Sequence, residues 1–257
     1  MERPLAAPGH RVGTGSSVRI RPPCLRDRRL LPLLPLLLAL AGPVSACLDP
    51  VVLVHGNGGR PADFDPTVAE LRARGWPSTL LIRPEWGSRL CVACNDHDGS
   101  EELPVRQALA SAVAQSCSGR IDVIAHSMGA SLAALQIVKL GIADRVDVFI
   151  AIGGAFRGLW SCGVYPWHVA TATCGAHGLS VGSPLLAELA ARAPFARRGV
   201  SFRSHIDEVV CATGTCLVGG EHSSRMPGEV ASYSFALGHR ALLSHTTRLQ
   251  AELLGAR

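Results

Sequence analysis

Ile121-Asp122-Val123-Ile124-Ala125-His126-Ser127-Met128-Gly129-Ala130 is the stretch that decides the fold. It opens with a short apolar run rich in β-branched residues, which suits a strand buried on both faces. It turns through small residues and continues at helical period to about Lys139. Strand, sharp turn and helix with a serine at the apex is a nucleophile elbow, in which the turn lifts a hydroxyl clear of the sheet edge. The usual pattern is G-x-S-x-G, and Ala125 stands at the first glycine, a change of one methyl. An ordinary turn carrying an exposed serine is the bland alternative.

Outward from the elbow, strand and helix alternate. Pro50–Val54 reads as a buried strand, Asp63–Arg74 as a helix, Thr79–Ile82 as a strand and Leu103–Cys117 as a helix with Pro104 in its first turn. Asp147–Ile152 is a further strand, Pro184–Arg192 a helix, Val200–Ser204 and Val230–Phe235 strands, and Arg240–Leu254 a last helix. About six strands separated by helices argue a mostly parallel sheet covered on both faces. Such a sheet gathers its functional loops at the carboxyl ends of its strands. Asn95-Asp96-His97-Asp98-Gly99 fails the full spacing of a calcium loop and reads as a solvated loop. Gly153–Val181 shows no periodicity and holds Trp160, Tyr165 and Trp167; it is expected to rim a pocket and offer these aromatics to an apolar substrate. Packing of the same rings over the sheet is the alternative.

The 257 residues divide near residue 46. Arg26, Arg28 and Arg29 precede the leucine-rich run 30–40, and Val44-Ser45-Ala46 follows, so residues 1–46 read as an export signal and 47–257 as one catalytic domain. The whole chain has 25 basic and 20 acidic residues. Residues 1–46 hold seven arginines and two acids, so the remaining 18 basic and 18 acidic residues balance. The basic character belongs to the leader, and nothing calls for a nucleic-acid partner. Eight cysteines follow the leader, an even set that suits four disulfides in an oxidising compartment. Cys211–Cys216 and Cys162–Cys174 are the expected local pairs, while Cys47, Cys91, Cys94 and Cys117 leave three pairings open. Val44–Cys47 also has the form of a lipobox, so anchoring through a lipidated Cys47 is the alternative to a freely secreted chain. Cys91-Val92-Ala93-Cys94 has no second C-x-x-C to complete a metal site, and no metal or cofactor is expected.

A serine hydroxyl needs a base to act as a nucleophile, and the base needs an orienting acid. Asp207 and Glu208 lie in a loop after a late strand, and His239 sits between the last strand and the last helix. Ser127, Asp207 and His239 are therefore the expected nucleophile, acid and base, with Glu208 the substitute acid. His55-Gly56-Asn57-Gly58-Gly59 follows an early strand and suits a loop whose backbone N–H groups face a developing oxyanion.

Together V-L-V-H-G-N-G-G, A-H-S-M-G, S-x-x-D-x-x-V and L-G-H-x-A-L-L resemble the small secreted bacterial lipases of the class 2 type, over most of residues 50–254. The A-H-S-M-G form is also similar to that of extracellular polyhydroxybutyrate depolymerases. The resemblance implies an α/β-hydrolase fold and carboxylic-ester hydrolysis. It assigns Ser127, Asp207 and His239 to the triad and the N–H groups of Asn57 and Met128 to the oxyanion hole. It implies an ester or lipid substrate, a monomer, and transient contact with a lipid interface. An acyltransferase or polyester depolymerase would use the same triad, and a catalytically dead binding module of the same fold is the non-enzyme alternative.

Overall fold

The computed structural model describes residues 47–255, so the expected export signal lies outside the described residues. The elements run β1 (Val51–Val54), α1 (Asp65–Ala73), β2 (Leu81–Ile82), α2 (Glu102–Gln115), β3 (Ile121–His126), α3 (Met128–Leu140) and β4 (Val146–Ile152). They continue β5 (Leu159–Val164), β6 (Trp167–His168), β7 (Ser180–Val181), α4 (Pro184–Arg192), β8 (Arg198–Ser204), β9 (Leu217–Val218), β10 (Glu221–His222), β11 (Ala231–Phe235), α5 (His239–Ser244) and α6 (Thr247–Gly255).

Six strands form one sheet in the order β11-β8-β4-β3-β1-β2, and every neighbouring pair is parallel. β3 and β4 are wholly or almost wholly buried, which is why both read as near-continuous apolar runs. Alternate residues serve two separate layers. Val52, Val54, Val123 and Phe149 join a core completed by α2, α3 and α4. Val51, Leu53, Ile124 and Ile150 join a second core completed by α1, α5 and α6. The two-residue period of a strand thus sends neighbouring side chains to opposite layers. This is the α/β-hydrolase arrangement, with helices on both faces of a parallel sheet.

Four disulfides link Cys47–Cys117, Cys91–Cys94, Cys162–Cys174 and Cys211–Cys216. Both expected local pairs are present, and the three pairings left open resolve to one. The Cys47 sulfur is joined to Cys117, so a lipid on that sulfur would require this bond to be absent. Two groups with metal-ligand spacing occur among the described residues, and each includes disulfide cysteine, Cys216 in one and Cys47 with Cys117 in the other. Their sulfurs are not thiolates. No helix among the described residues is long and apolar enough to cross a membrane.

Three expectations need correction. The last helix is two helices: Thr246 Oγ1 donates to the Leu242 carbonyl at 2.7 Å and Gln250 Nε2 to the Leu243 carbonyl at 2.8 Å. Side chains thus occupy acceptors that a continuous helix would use, and the chain restarts at Thr247. Gly153–Val181 is not structureless; β5 pairs antiparallel with β6 and parallel with β7 in a small separate sheet. The segment 95–99 is not simply solvated, since Asn95 and His97 are 1% and 0% exposed.

Candidate active site

Ser127 sits between β3 and α3 with φ 55° and ψ −134°, the one positive φ of a non-glycine among the described residues. An L residue adopts these angles only where its surroundings over-determine them. Here the Ser127 N–H donates to the Ile152 carbonyl at 2.8 Å on the neighbouring strand, and its own carbonyl receives the Ala130 N–H at 3.0 Å in the first turn of α3. Met128 is the first residue of α3, so its N–H has no intrahelical acceptor and points out of the helix start.

His239 opens α5 at the carboxyl edge of the sheet. Its Nδ1 lies 2.8 Å from Asp207 Oδ2. The other oxygen of Asp207 accepts the N–H groups of Val209 and Val210, each at 2.9 Å. Burial pushes the Asp207 carboxyl upward, but the hydrogen bond and charge of His239, with those two N–H groups, hold it below the ordinary carboxylate range. Glu208 faces elsewhere: its Oε2 accepts the His239 N–H at 2.8 Å and caps the start of α5. The structure thus separates the two adjacent acids into one that orients the imidazole and one that holds the backbone carrying it. Gly153, at φ 56°, makes room for this pair. A Cβ there would lie 3.2 Å from the His239 ring and 3.4 Å from Asp207 Oδ2.

His126 contributes from the elbow. Its Nε2 lies 3.2 Å from the His239 carbonyl, and the two rings are 4.6 Å apart. The carbonyl can only accept, so this nitrogen carries the proton. Burial first, then the nearby charge of His239, lowers its pKa to about 3, so the ring is a neutral prop for the His239 backbone.

The loop after β1 runs alongside. Gly59 N–H donates to the Gly56 carbonyl at 3.0 Å, closing a turn with Asn57 and Gly58 at its centre and Gly58 at φ 66°. A Cβ on Gly56 would come within 2.9 Å of Ser127 Cβ, so only glycine lets the turn pass so near the serine. Beneath it His55 Nδ1 lies 2.9 Å from the Gly56 carbonyl, and Trp86 Nε1 donates to the His55 carbonyl at 2.8 Å with the two rings stacked. Burial lowers the His55 pKa, so a neutral ring supports the loop.

Asn57, Ser127 and His239 line one small cleft of about 60 Å³, with Gly56, Asp63 and Arg240 among its other walls. The structure therefore brings the serine, the acid–histidine pair and both expected oxyanion donors to one edge. Trp160, Tyr165 and Trp167 do not line that cleft. The Trp160 indole donates to the Leu217 carbonyl at 2.8 Å, Tyr165 stacks on His168, and Trp167 is 84% exposed on the small sheet. Trp160 and Trp167 lie on the paired strands β5 and β6, and Tyr165 lies in the turn between them. Sequence reasoning missed His55 with Trp86, His126, Asn95 and His97 as supports, and no local pattern marks them.

The sequence profile of the family Lipase (class 2) matches residues 48–252. The fold is similar to that of the mature Bacillus licheniformis lipase BlEst2 (TM-score 0.57, 13% identity, covering 81% of this chain and 93% of that one). It is also similar to Aspergillus fumigatus lipase B (TM-score 0.56, 17% identity, 81% of this chain) and to Pyrobaculum calidifontis esterase (TM-score 0.53, 15% identity, 80% and 76%). The chain spans about half, 52%, of the Aspergillus protein. The profile covers most of the chain and the fold agrees with it, and the chain belongs to the class 2 lipase family, as a carboxylic-ester hydrolase of the α/β-hydrolase fold.

Proposed function

We propose that the protein is an exported ester hydrolase that works through Ser127, His239 and Asp207 by way of an acyl-enzyme. The observation that carries this reading is the 2.8 Å contact between Asp207 Oδ2 and His239 Nδ1, at a cleft that His239 shares with Ser127. Asp207 fixes the proton on Nδ1, which leaves Nε2 with a lone pair to take a proton. Ser127 Oγ attacks the ester carbonyl as His239 accepts its hydrogen. The oxyanion is met by the N–H groups of Met128 and Asn57, each contributing about 3 kcal/mol at the barrier. The alcohol leaves with the proton from His239. Water, deprotonated by His239, then attacks the acyl-enzyme, and the acid departs as Ser127 regains its proton.

The substrate is an ester or lipid. Exposed Leu90, Trp167 and Ile206, on segments that follow the carboxyl ends of β2, β4 and β8, support brief contact with a lipid surface. The four disulfides and the arginine-then-leucine leader support export. Mass spectrometry of protein recovered from a culture medium is expected to find a first residue near Cys47. The decisive experiment is Ser127→Ala assayed with p-nitrophenyl esters of several chain lengths, with a fluorophosphonate probe mapped on the wild type. Turnover is expected to vanish and the label to sit on Ser127; a fully active variant rejects the reading.

A further inference from the structure

Asn57 is held by its side chain from outside its own loop. Its Nδ2 donates to the Val92 carbonyl at 2.9 Å, and its Oδ1 accepts from Asn95 Nδ2 at 2.6 Å. Asn95 is 1% exposed and uses its whole amide: the same Nδ2 donates to the Ser88 carbonyl at 2.8 Å, and Oδ1 accepts the Ser88 N–H at 2.7 Å. Turning either amide over would set like groups face to face, so both orientations are fixed by their partners. The gripping segment is itself tied down. Cys91–Cys94 closes it, and Thr173 Oγ1 lies 2.8 Å from the Val92 carbonyl and 2.7 Å from the Asn95 carbonyl.

The backbone of Asn57 needs such a grip. It stands between Gly56 and Gly58, and glycine on either side leaves the adjoining peptide planes easy to rotate. The Gly56 carbonyl is turned into the loop by the Gly59 N–H, so across the trans peptide the Asn57 N–H points the opposite way. An oxyanion donor must lie within about 3 Å of the oxygen as charge develops. The Gly59 N–H and His55 Nδ1 hold the carbonyl end of that plane, and the two hydrogen bonds on the Asn57 side chain hold the end that carries the N–H.

We infer that Asn95, through the Asn57 side chain, is a positioning residue that aims the Asn57 N–H at the reacting carbonyl oxygen. This rests on the ester-hydrolase reading above and deepens it.

The test is Asn57→Ala and Asn95→Asp, assayed with a short p-nitrophenyl ester, rates being divided by active sites titrated with a fluorophosphonate. Asn57→Ala keeps the backbone donor and removes only its grip. The expected result is a kcat loss of about 10- to 100-fold with KM within about threefold. Affinity for an alkyl trifluoromethyl ketone, whose serine adduct carries an oxyanion, is expected to fall in parallel. Asn95→Asp puts an acceptor against Asn57 Oδ1 and is expected to give the same split. A merely structural role would lower the melting temperature and leave kcat per titrated site unchanged. If Asn95→Asp does not fold, Asn57→Ala decides alone, and a kcat within about threefold of wild type overturns the inference. Activity retained by Ser127→Ala would defeat the hydrolase reading itself; an inactive Ser127→Ala beside a fully active Asn57→Ala would defeat only the positioning role.

Discussion

Asp207 and Glu208 are adjacent in sequence, yet one carboxylate meets the His239 ring at 2.8 Å and the other its backbone N–H at 2.8 Å. Their substitutions should differ in kind. Asp207→Asn keeps the shape but favours the wrong tautomer, and kcat should fall by about 10³- to 10⁴-fold. Glu208→Gln still presents an oxygen to the N–H and should lose less than about fivefold. Steady-state kinetics on the two variants would check the assignment, and equal losses would contradict it.

Gly153 offers a second handle on the same pair. Gly153→Ala places a Cβ 3.2 Å from the imidazole at a φ of 56°. Stability should drop by about 1–2 kcal/mol from the backbone alone. The kcat should fall by about tenfold or more as the ring shifts. Denaturant titration and ester kinetics measure the two effects separately.

Strain at the elbow predicts an asymmetry between two inactive enzymes. Ser127→Gly relaxes the φ 55°, ψ −134° backbone, whereas Ser127→Ala keeps it under tension. The glycine variant should be the more stable by about 1 kcal/mol, despite the extra chain entropy glycine brings to the unfolded state. Paired melts of the two variants would show this, and a less stable glycine variant would contradict it.

His97 makes folding stability depend on pH. Its Nδ1 lies 2.8 Å from the His177 carbonyl and its Nε2 2.7 Å from Ser131 Oγ, which ties the 95–97 segment to the nucleophile helix. Burial lowers its pKa from 6.5 to about 4. Between those values the unfolded chain takes up a proton that the native chain refuses, so stability falls as pH falls through this window. The contribution is about 3 kcal/mol when complete. His97→Gln should be less stable at neutral pH yet lose less between pH 7 and pH 4, as urea titrations at both would report.

Disulfide removal should scale with the loop each bond closes. Cys47–Cys117 spans 70 residues and Cys211–Cys216 spans 5. Chain entropy assigns them about 4 and about 2 kcal/mol. Double serine variants should lose melting temperature in that order.

The elbow and the layered sheet were legible because each is written in a local pattern, and Asp207 and His239 stood out as candidates because each directly follows a late strand. β-branched runs mark the buried strands, and a serine among small residues marks the turn. The supports of the site were not legible. Asn95 meets Asn57 across 38 positions and His97 meets Ser131 across 34, inside a segment whose polar composition resembles a surface loop. Such residues are buried because their hydrogen bonds are satisfied at a distance, and no local period records that. The strand pairing within 153–181 escaped notice for a related reason. Strands as short as β6 and β7, with two residues each, leave too few positions for alternation to show.

The link between Cys47 and Cys117, together with the buried Asp49 carboxylate that accepts from Ser118 Oγ, pins the chain where it enters β1. That entry lies at the amino-terminal margin of the parallel strands, and Ser127 and His239 occupy the other margin. An affinity tag or resin linker joined directly to Cys47 would attach at the margin of the sheet opposite the cleft. Immobilisation by that end should leave the catalytic mouth facing the bulk liquid, and tethering through α5 should obstruct it.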